Sequence, residues 1–166
     1  TYILLKGMID MSTYCKSALN QIEFALKTTA EIIDTLEDVD LQKRPSYNKR
    51  SIGELLEHLA LLCKADLLIS NGATQEEMNE FYAGISYKDF KEIKEALVVN
   101  YNSLKEKYMK YTETELHESI TSYWGVTYTR FEWLLEILSH VYHHRGQLHS
   151  MIVHCYGKDP NILLFE

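Results

Sequence analysis

Proline and cysteine are scarce in this chain: two prolines and three cysteines in 166 residues. Pro45 and Pro160 both fall outside the long periodic segments, so no helix is broken from within by a residue that lacks an amide donor. Cys15, Cys63 and Cys155 are odd in number, widely spaced and form no C-x-x-C pair, which argues against a disulfide framework or a zinc ribbon. Reduced, mostly buried thiols in a cytoplasmic protein are expected instead. No apolar run approaches membrane-spanning length, and the opening Tyr2-Ile3-Leu4-Leu5 is too short for a signal-peptide core, so no membrane association is expected. The chain starts at Thr1 without Met, and its first residues are expected to be a remnant or a trimmed end.

Positive charge is also in short supply. Seventeen Lys and Arg face 24 Asp and Glu, a formal charge of -7. Nucleic acid or an anionic membrane would need a concentrated basic patch, so neither is expected as a partner. The one basic cluster, Lys43, Arg44, Lys49 and Arg50, reads as a solvated loop rather than a phosphate site. Several motifs are missing too. Without G-x-S-x-G or a P-loop, serine-hydrolase and nucleotide-triphosphate chemistry have no anchor. An H-E-x-x-H metalloprotease helix is absent, and no helical Glu-x-x-His pair supports a ferritin-like di-iron centre.

What is present is helical periodicity in a soluble composition of 46% hydrophobic and 25% charged residues. The length suits one domain, residues 1–166, with a substantial core. A first amphipathic helix is predicted over about 12–38, with Leu19, Ile22, Leu26, Ile33 and Leu36 on one face. The polar stretch 37–50 is a connection. Ser51-Ile52-Gly53-Glu54 is a capping box opening a second helix to about Ser70, with the core stripe Leu55, His58, Leu62, Ala65, Ile69. Polar residues 72–84 leave room for a short helical turn. A third helix, capped by Ser86 with Asp89 three residues on, carries Phe90, Ile93, Leu97, Tyr101, Leu104 and Tyr108. Ile120, Tyr123, Trp124, Val126 and Tyr128 around Gly125 suggest a short hairpin. Thr129-Arg130-Phe131-Glu132 is a second capping box, opening a long helix to about Tyr156, where Gly157 and Pro160 stop it. An antiparallel four-helix bundle, all-α apart from the hairpin-like excursion, is the economical architecture.

The last helix carries the chemistry. Residues i and i+4 lie one above the other, so His140 and His144 share a face with Trp133, Ile137, Leu148, Met151 and Cys155. Imidazoles on an apolar face need partners for their ring nitrogens, and a shared divalent metal satisfies both. From spacing alone, metal ligands and hydrogen-bonded core histidines remain alternatives, for this pair and for His58. Three imidazoles with one open position would describe a catalytic rather than a structural metal site. His143 is rotated away from that face, His149 and His154 fall off the stripe, and His117 lies in a loop.

The His58 segment Ser51-Ile52-Gly53-Glu54-Leu55-Leu56-Glu57-His58-Leu59, then Thr129-Arg130, then His140-x-x-x-His144-Arg145-Gly146-Gln147-Leu148, resembles the DinB-like (YfiT-like) four-helix bundle proteins over nearly the whole chain. The final run is its most specific part. This family is distinct from the translesion polymerase that shares the DinB name. The resemblance implies a divalent ion, zinc or nickel, held by three histidines that match His58, His140 and His144. It also implies homodimers, and activities such as bacillithiol- or mycothiol-dependent S-transfer, a mycothiol-dependent isomerisation or metal-dependent hydrolysis of a small-molecule substrate. A thiol-dependent transferase acting on small electrophiles is the first expectation. A hydrolase or a non-enzymatic ligand-binding bundle is the alternative. No catalytic acid or base is identified. Arg145 and Gln147 are expected to pair with neighbouring helices or a partner subunit, with Gly146 permitting close helix approach. Glu54 and Glu136, each one turn before a histidine, are either acceptors that orient an imidazole or solvated. Tyr123, Trp124 and Tyr128 are candidate pocket walls.

Overall fold

The computed structural model describes residues 11–165, with side chains from residue 13 onward; the opening Tyr2-Ile3-Leu4-Leu5 lies outside the described residues. The chain is mostly helical, with one small two-stranded sheet. Four long helices, α1 (Met11–Ile33), α2 (Ile52–Ile69), α4 (Phe90–Tyr108) and α6 (Arg130–Ser150), pack together. α2 lies against α4 and α6, and α1 lies against α6 and α4. The shorter α3 (Gln75–Ala83) and α5 (Glu113–Leu116) and the hairpin β1 (Ser119–Thr121) and β2 (Thr127–Thr129) fill the connections. No helix among the described residues is long and apolar enough to cross a membrane.

The predicted stripes form the core. Leu19, Ile22, Leu55, Leu62, Leu97, Leu104, Ile137 and Leu148 are all buried in one cluster. Two tyrosines tie it to backbone: the Tyr101 hydroxyl donates to the Leu19 carbonyl at 3.1 Å, and that of Tyr108 to the Arg130 carbonyl at 2.9 Å. A smaller cluster of Ala65, Ile69, Met78 and Trp133 lies beneath α3 and the hairpin. Trp133 Nε1–H donates to the Ile120 carbonyl at 3.1 Å, clipping the hairpin to the start of α6. The strands pair antiparallel with Ile120 opposite Tyr128, and Gly125 takes the positive φ of 93° that the turn requires.

Both expected capping boxes are present. Glu54 N–H donates to Ser51 Oγ at 3.1 Å while Ser51 N–H donates to Glu54 Oε2 at 2.8 Å, and Thr129 with Glu132 repeats the arrangement at α6. Other boundaries differ from expectation. α1 stops at Ile33, because the Thr35 and Leu36 amides fold back on the Ile32 and Ile33 carbonyls. A 3₁₀ turn at Asp38–Gln42 then packs on α2; a Cβ at Gly53 would meet the Leu41 carbonyl oxygen at 3.0 Å, so a larger residue would have to push that turn back by a few tenths of an ångström. Within that turn Asp40 is buried and accepts from Lys43 Nζ at 2.6 Å and Lys158 Nζ at 2.9 Å. α4 is capped by Asp89, not Ser86. α6 passes after Ser150 into a π-helical turn, Met151–Cys155, and the helical run stops before Gly157 as expected, but the turn rotates Cys155 out to solvent rather than into the core.

Candidate metal centre

α2 and α6 cross with their histidines facing. His58, midway along α2, meets His144 of α6 with Nε2 to Nε2 at 3.0 Å, across 86 residues of sequence. His140, one turn before His144, completes the group: ring centroids lie 5.4 Å from His58 and 4.8 Å from His144. One ligand nitrogen from each of the three falls within 4.8 Å of the others. The sequence-predicted triad is therefore brought together.

Two of the rings are oriented from behind. His140 Nδ1–H donates to Asp66 Oδ2 at 2.7 Å, and His144 Nδ1–H donates to Gln147 Oε1 at 2.9 Å. A neutral imidazole with its proton on Nδ1 has its lone pair on Nε2, so both bonds leave Nε2 as the donor atom for a ligand. Burial sets the protonation state of His58 and His144. Desolvation, with the charges of Arg50 and the neighbouring rings, pushes the His58 pKa down to about 3. Desolvation likewise lowers His144 to about 4, against the opposing Gln147 hydrogen bond. Burial also disfavours charge on His140, but the Asp66 hydrogen bond and carboxylate outweigh it, and its pKa lies above the usual imidazole value. Neutral imidazoles with free lone pairs, a charge-compensating carboxylate behind one of them and three protein ligands are the donor chemistry of a divalent site with one open position. The residues fit a divalent metal ion.

Glu136, half-buried one turn before His140, belongs to a second group with Asp66 and His140 whose ligand atoms also lie within 4.8 Å of one another. Desolvation and the Asp66 charge raise its pKa, so it favours the neutral acid more than a surface glutamate does. The hairpin carries aromatic groups that pack on one another and on Trp133. Tyr123 packs edge-on against Trp124 at 4.8 Å, and Trp124 and Tyr128 do so against Trp133 at 6.3 and 5.0 Å. Tyr82 of α3 is raised in pKa by burial and then by Asp66 and Tyr123.

Other expectations sort out differently. Glu54 does not orient His58; it is held by Arg44 through two contacts of 2.8 Å and by the Ser51 amide. Gln147 serves His144 instead of pairing with a neighbouring helix. Arg145 is the inter-helix residue: only 1% exposed, it donates from Nη1 to Thr28 Oγ1 of α1 at 2.9 Å and lies over the Tyr142 and Phe165 rings. A Cβ at Gly146 would meet nothing within 4 Å, so that glycine does not serve close packing within this chain. His143 is exposed with its ring edge-on to His144 at 4.8 Å, and His117 and His154 are exposed away from the triad. Asp66 is the site residue that the periodicity missed, although an acid between Ala65 and Leu67 on a buried helix is a signal in the sequence. A separate cleft of about 320 Å³ by Arg44, Glu57 and Tyr87 contains none of these histidines.

A helical scaffold with a three-histidine cluster between two of its long helices defines the class. The sequence pattern of the DinB superfamily matches residues 21–148, and the chain belongs to that superfamily. A crystal structure of a candidate member of the DinB family from Exiguobacterium sibiricum is similar at 34% identity and a TM-score of 0.79, covering 96% of this chain and 100% of that one. DinB-like proteins from Bacillus subtilis (YjoA) and Bacillus cereus share the fold at 17% and 16% identity, with TM-scores of 0.69 and 0.70, each covering 89% of this chain and 96% of the other. No curated protein matches the sequence.

Proposed function

We propose that the chain is a divalent-metal-dependent enzyme in which His58, His140 and His144 hold one zinc or nickel ion, and that it joins a low-molecular-weight thiol to a small electrophilic molecule. The observation that carries this reading is the meeting of three imidazoles from two helices with the Nδ1 atoms of His140 and His144 already engaged. A divalent ion held there supplies Lewis acidity, which lowers the pKa of a thiol or water bound to it. The protein's own part is to keep His58 and His144 unprotonated by burial and to fix the His140 and His144 rings through Asp66 and Gln147. Glu136 is the group beside them that favours holding a proton. In the reaction the thiol gives up its proton to solvent, and a carbon–sulfur bond forms as the bond from that carbon to the leaving group breaks and the leaving group departs with its electron pair. The scaffold is a single-domain antiparallel four-helix bundle that acts in the cytoplasm as a homodimer.

The first test is metal content by elemental analysis of untagged protein, with His144→Ala alongside. Near-stoichiometric zinc or nickel, lost in the variant, is expected, and metal-free protein with no uptake of added ions would overturn the site. Turnover of electrophiles is then compared with and without added thiol. Thiol-dependent rates are expected, whereas equal rates would make water the nucleophile and the protein a hydrolase. A metal that raises the melting temperature while no electrophile is turned over would make it a non-enzymatic bundle.

A further inference from the structure

Three lysines that no run of sequence announces come together between α2 and α4. Two side-chain bonds hold these helices side by side: Asn100 Nδ2–H donates to the Ala60 carbonyl at 2.7 Å, and Lys64 Nζ donates to Ser103 Oγ at 3.4 Å. Beside the second bond lies a cleft of about 550 Å³, lined by Lys64 of α2, by Lys107 in the last turn of α4 and by Lys110 just past it. Leu68 adds an apolar wall. Glu106 is the one carboxylate among the described lining residues, and Lys110 takes it. Lys107 lies over the Tyr111 ring at 5.1 Å and Lys64 has the Ser103 hydroxyl, so neither pairs with a carboxylate among the described residues.

The charges in the cleft therefore do not cancel. A lysine in the last turn of a helix answers the carbonyls left free there, which accounts for Lys107. It does not account for Lys64, half-buried more than a turn before α2 ends, with a long hydrogen bond to a neutral hydroxyl. Half-burying an ammonium strips part of its hydration, and an anion in the cleft makes good that loss. The donors select the anion. A carboxylate is matched by the planar fork of an arginine, and none lines the cleft, whereas separate ammonium groups from two helices act as point charges around a phosphate dianion. The rest of the surface limits its size. A nucleic acid would extend past the cleft onto a chain of net charge -7, while a small molecule would not. Leu68 beside the lysines suits an organic group carried by the phosphate.

We propose that the cleft between α2 and α4 binds the phosphate group of a small phosphate ester, with Lys64 and Lys107 as its main contacts. The cleft shares no residue with the three-histidine cluster, so this site stands or falls apart from the metal reading. Phenyl phosphate, inorganic phosphate and phenol are titrated separately into isotope-labelled protein at low salt, followed by amide NMR signals. Phenyl phosphate should move the signals of Lys64, Leu68, Ser103 and Lys107 saturably, and phenol should move none of them. K64Q and the exposed K107Q should each weaken phenyl phosphate roughly tenfold. K91Q removes the same charge from the opposite end of α4, more than a screening length away, and should weaken it less than about twofold. Inorganic phosphate should bind several-fold more weakly than the ester; equal binding would overturn the ester and leave free phosphate as the ligand. Saturable shifts only outside the cleft, no saturable shifts at all, or equal losses in K64Q, K107Q and K91Q would overturn the site.

Discussion

Asp66 shows how one side chain sets the chemistry of its neighbour. Its carboxylate accepts from His140 Nδ1 at 2.7 Å and holds a proton on a ring that burial alone would strip. His58 and His144, pushed down to about 3 and about 4, have no proton to lose near neutrality. Any proton released from the three imidazoles on metal uptake near pH 6.5 should therefore come from His140 and number no more than one, as read by calorimetry in buffers of different ionisation enthalpy. Asp66→Asn should reduce that release and weaken metal binding by roughly 10- to 100-fold, the usual cost of losing a carboxylate behind a metal-bound histidine. Arg145 makes a contrasting case, a buried guanidinium whose Nε has no partner and which pairs with no carboxylate among the described residues. Arg145→Met, which keeps the bulk between Tyr142 and Phe165, should change stability by less than about 1 kcal/mol, while Arg145→Ala should cost about 2–4 kcal/mol in urea denaturation. The three histidines were legible because each interrupts an apolar stripe. Gln147 was not, since its bond to His144 depends on a side-chain rotamer that spacing does not specify.

Among the elements, capping decided what could be read. The Ser51 and Thr129 boxes marked the starts of α2 and α6 correctly. The same pattern at Thr74 with Glu77 and at Thr112 with Glu115 opens α3 and α5, helices too short for an apolar period to announce them. At α4 the expected cap, Ser86, lies three residues before the observed one. Asp89 prevails because the Tyr87 amide donates to Glu57 Oε1 of α2 at 3.2 Å, which keeps the preceding residues out of the helix. The end of the last helical run at Gly157 was legible, but the facing of Cys155 was not, because a π turn before it adds residues without following the 3.6-residue period. Thr129→Ala removes the hydroxyl that accepts from the Glu132 amide and should cost about 1 kcal/mol, a fall of roughly 2–4 °C in Tm by calorimetry.

Across the whole molecule, chain ends and middle are tied together by buried charge. Burial disfavours the Asp40 carboxylate, but Lys43, the Glu37 amide and Lys158 more than compensate and hold its pKa well below the usual range. A carboxyl whose pKa is lowered on folding contributes stability above its unfolded value near 4, and that contribution disappears as the pH falls through and below it. Asp40→Asn should thus lower the urea midpoint at pH 7, by about 3 kcal/mol of stability, and flatten its decline between about pH 5 and pH 2. The helical architecture was readable at this scale because four amphipathic stripes must bury one another. The Asp40 link to Lys158 was not, since two charged residues 118 positions apart carry no periodic signal. Similar distance separates the histidines: the contact between His58 and His144 closes a loop of 86 residues. An ion bound there is a reversible cross-link between the second and the last long helix. No partial product of synthesis can hold it until α6 has emerged, and once held it fastens α6 to a helix formed long before. Its removal should show first as faster unfolding, in the manner of a reduced disulfide, before any change in the folded shape.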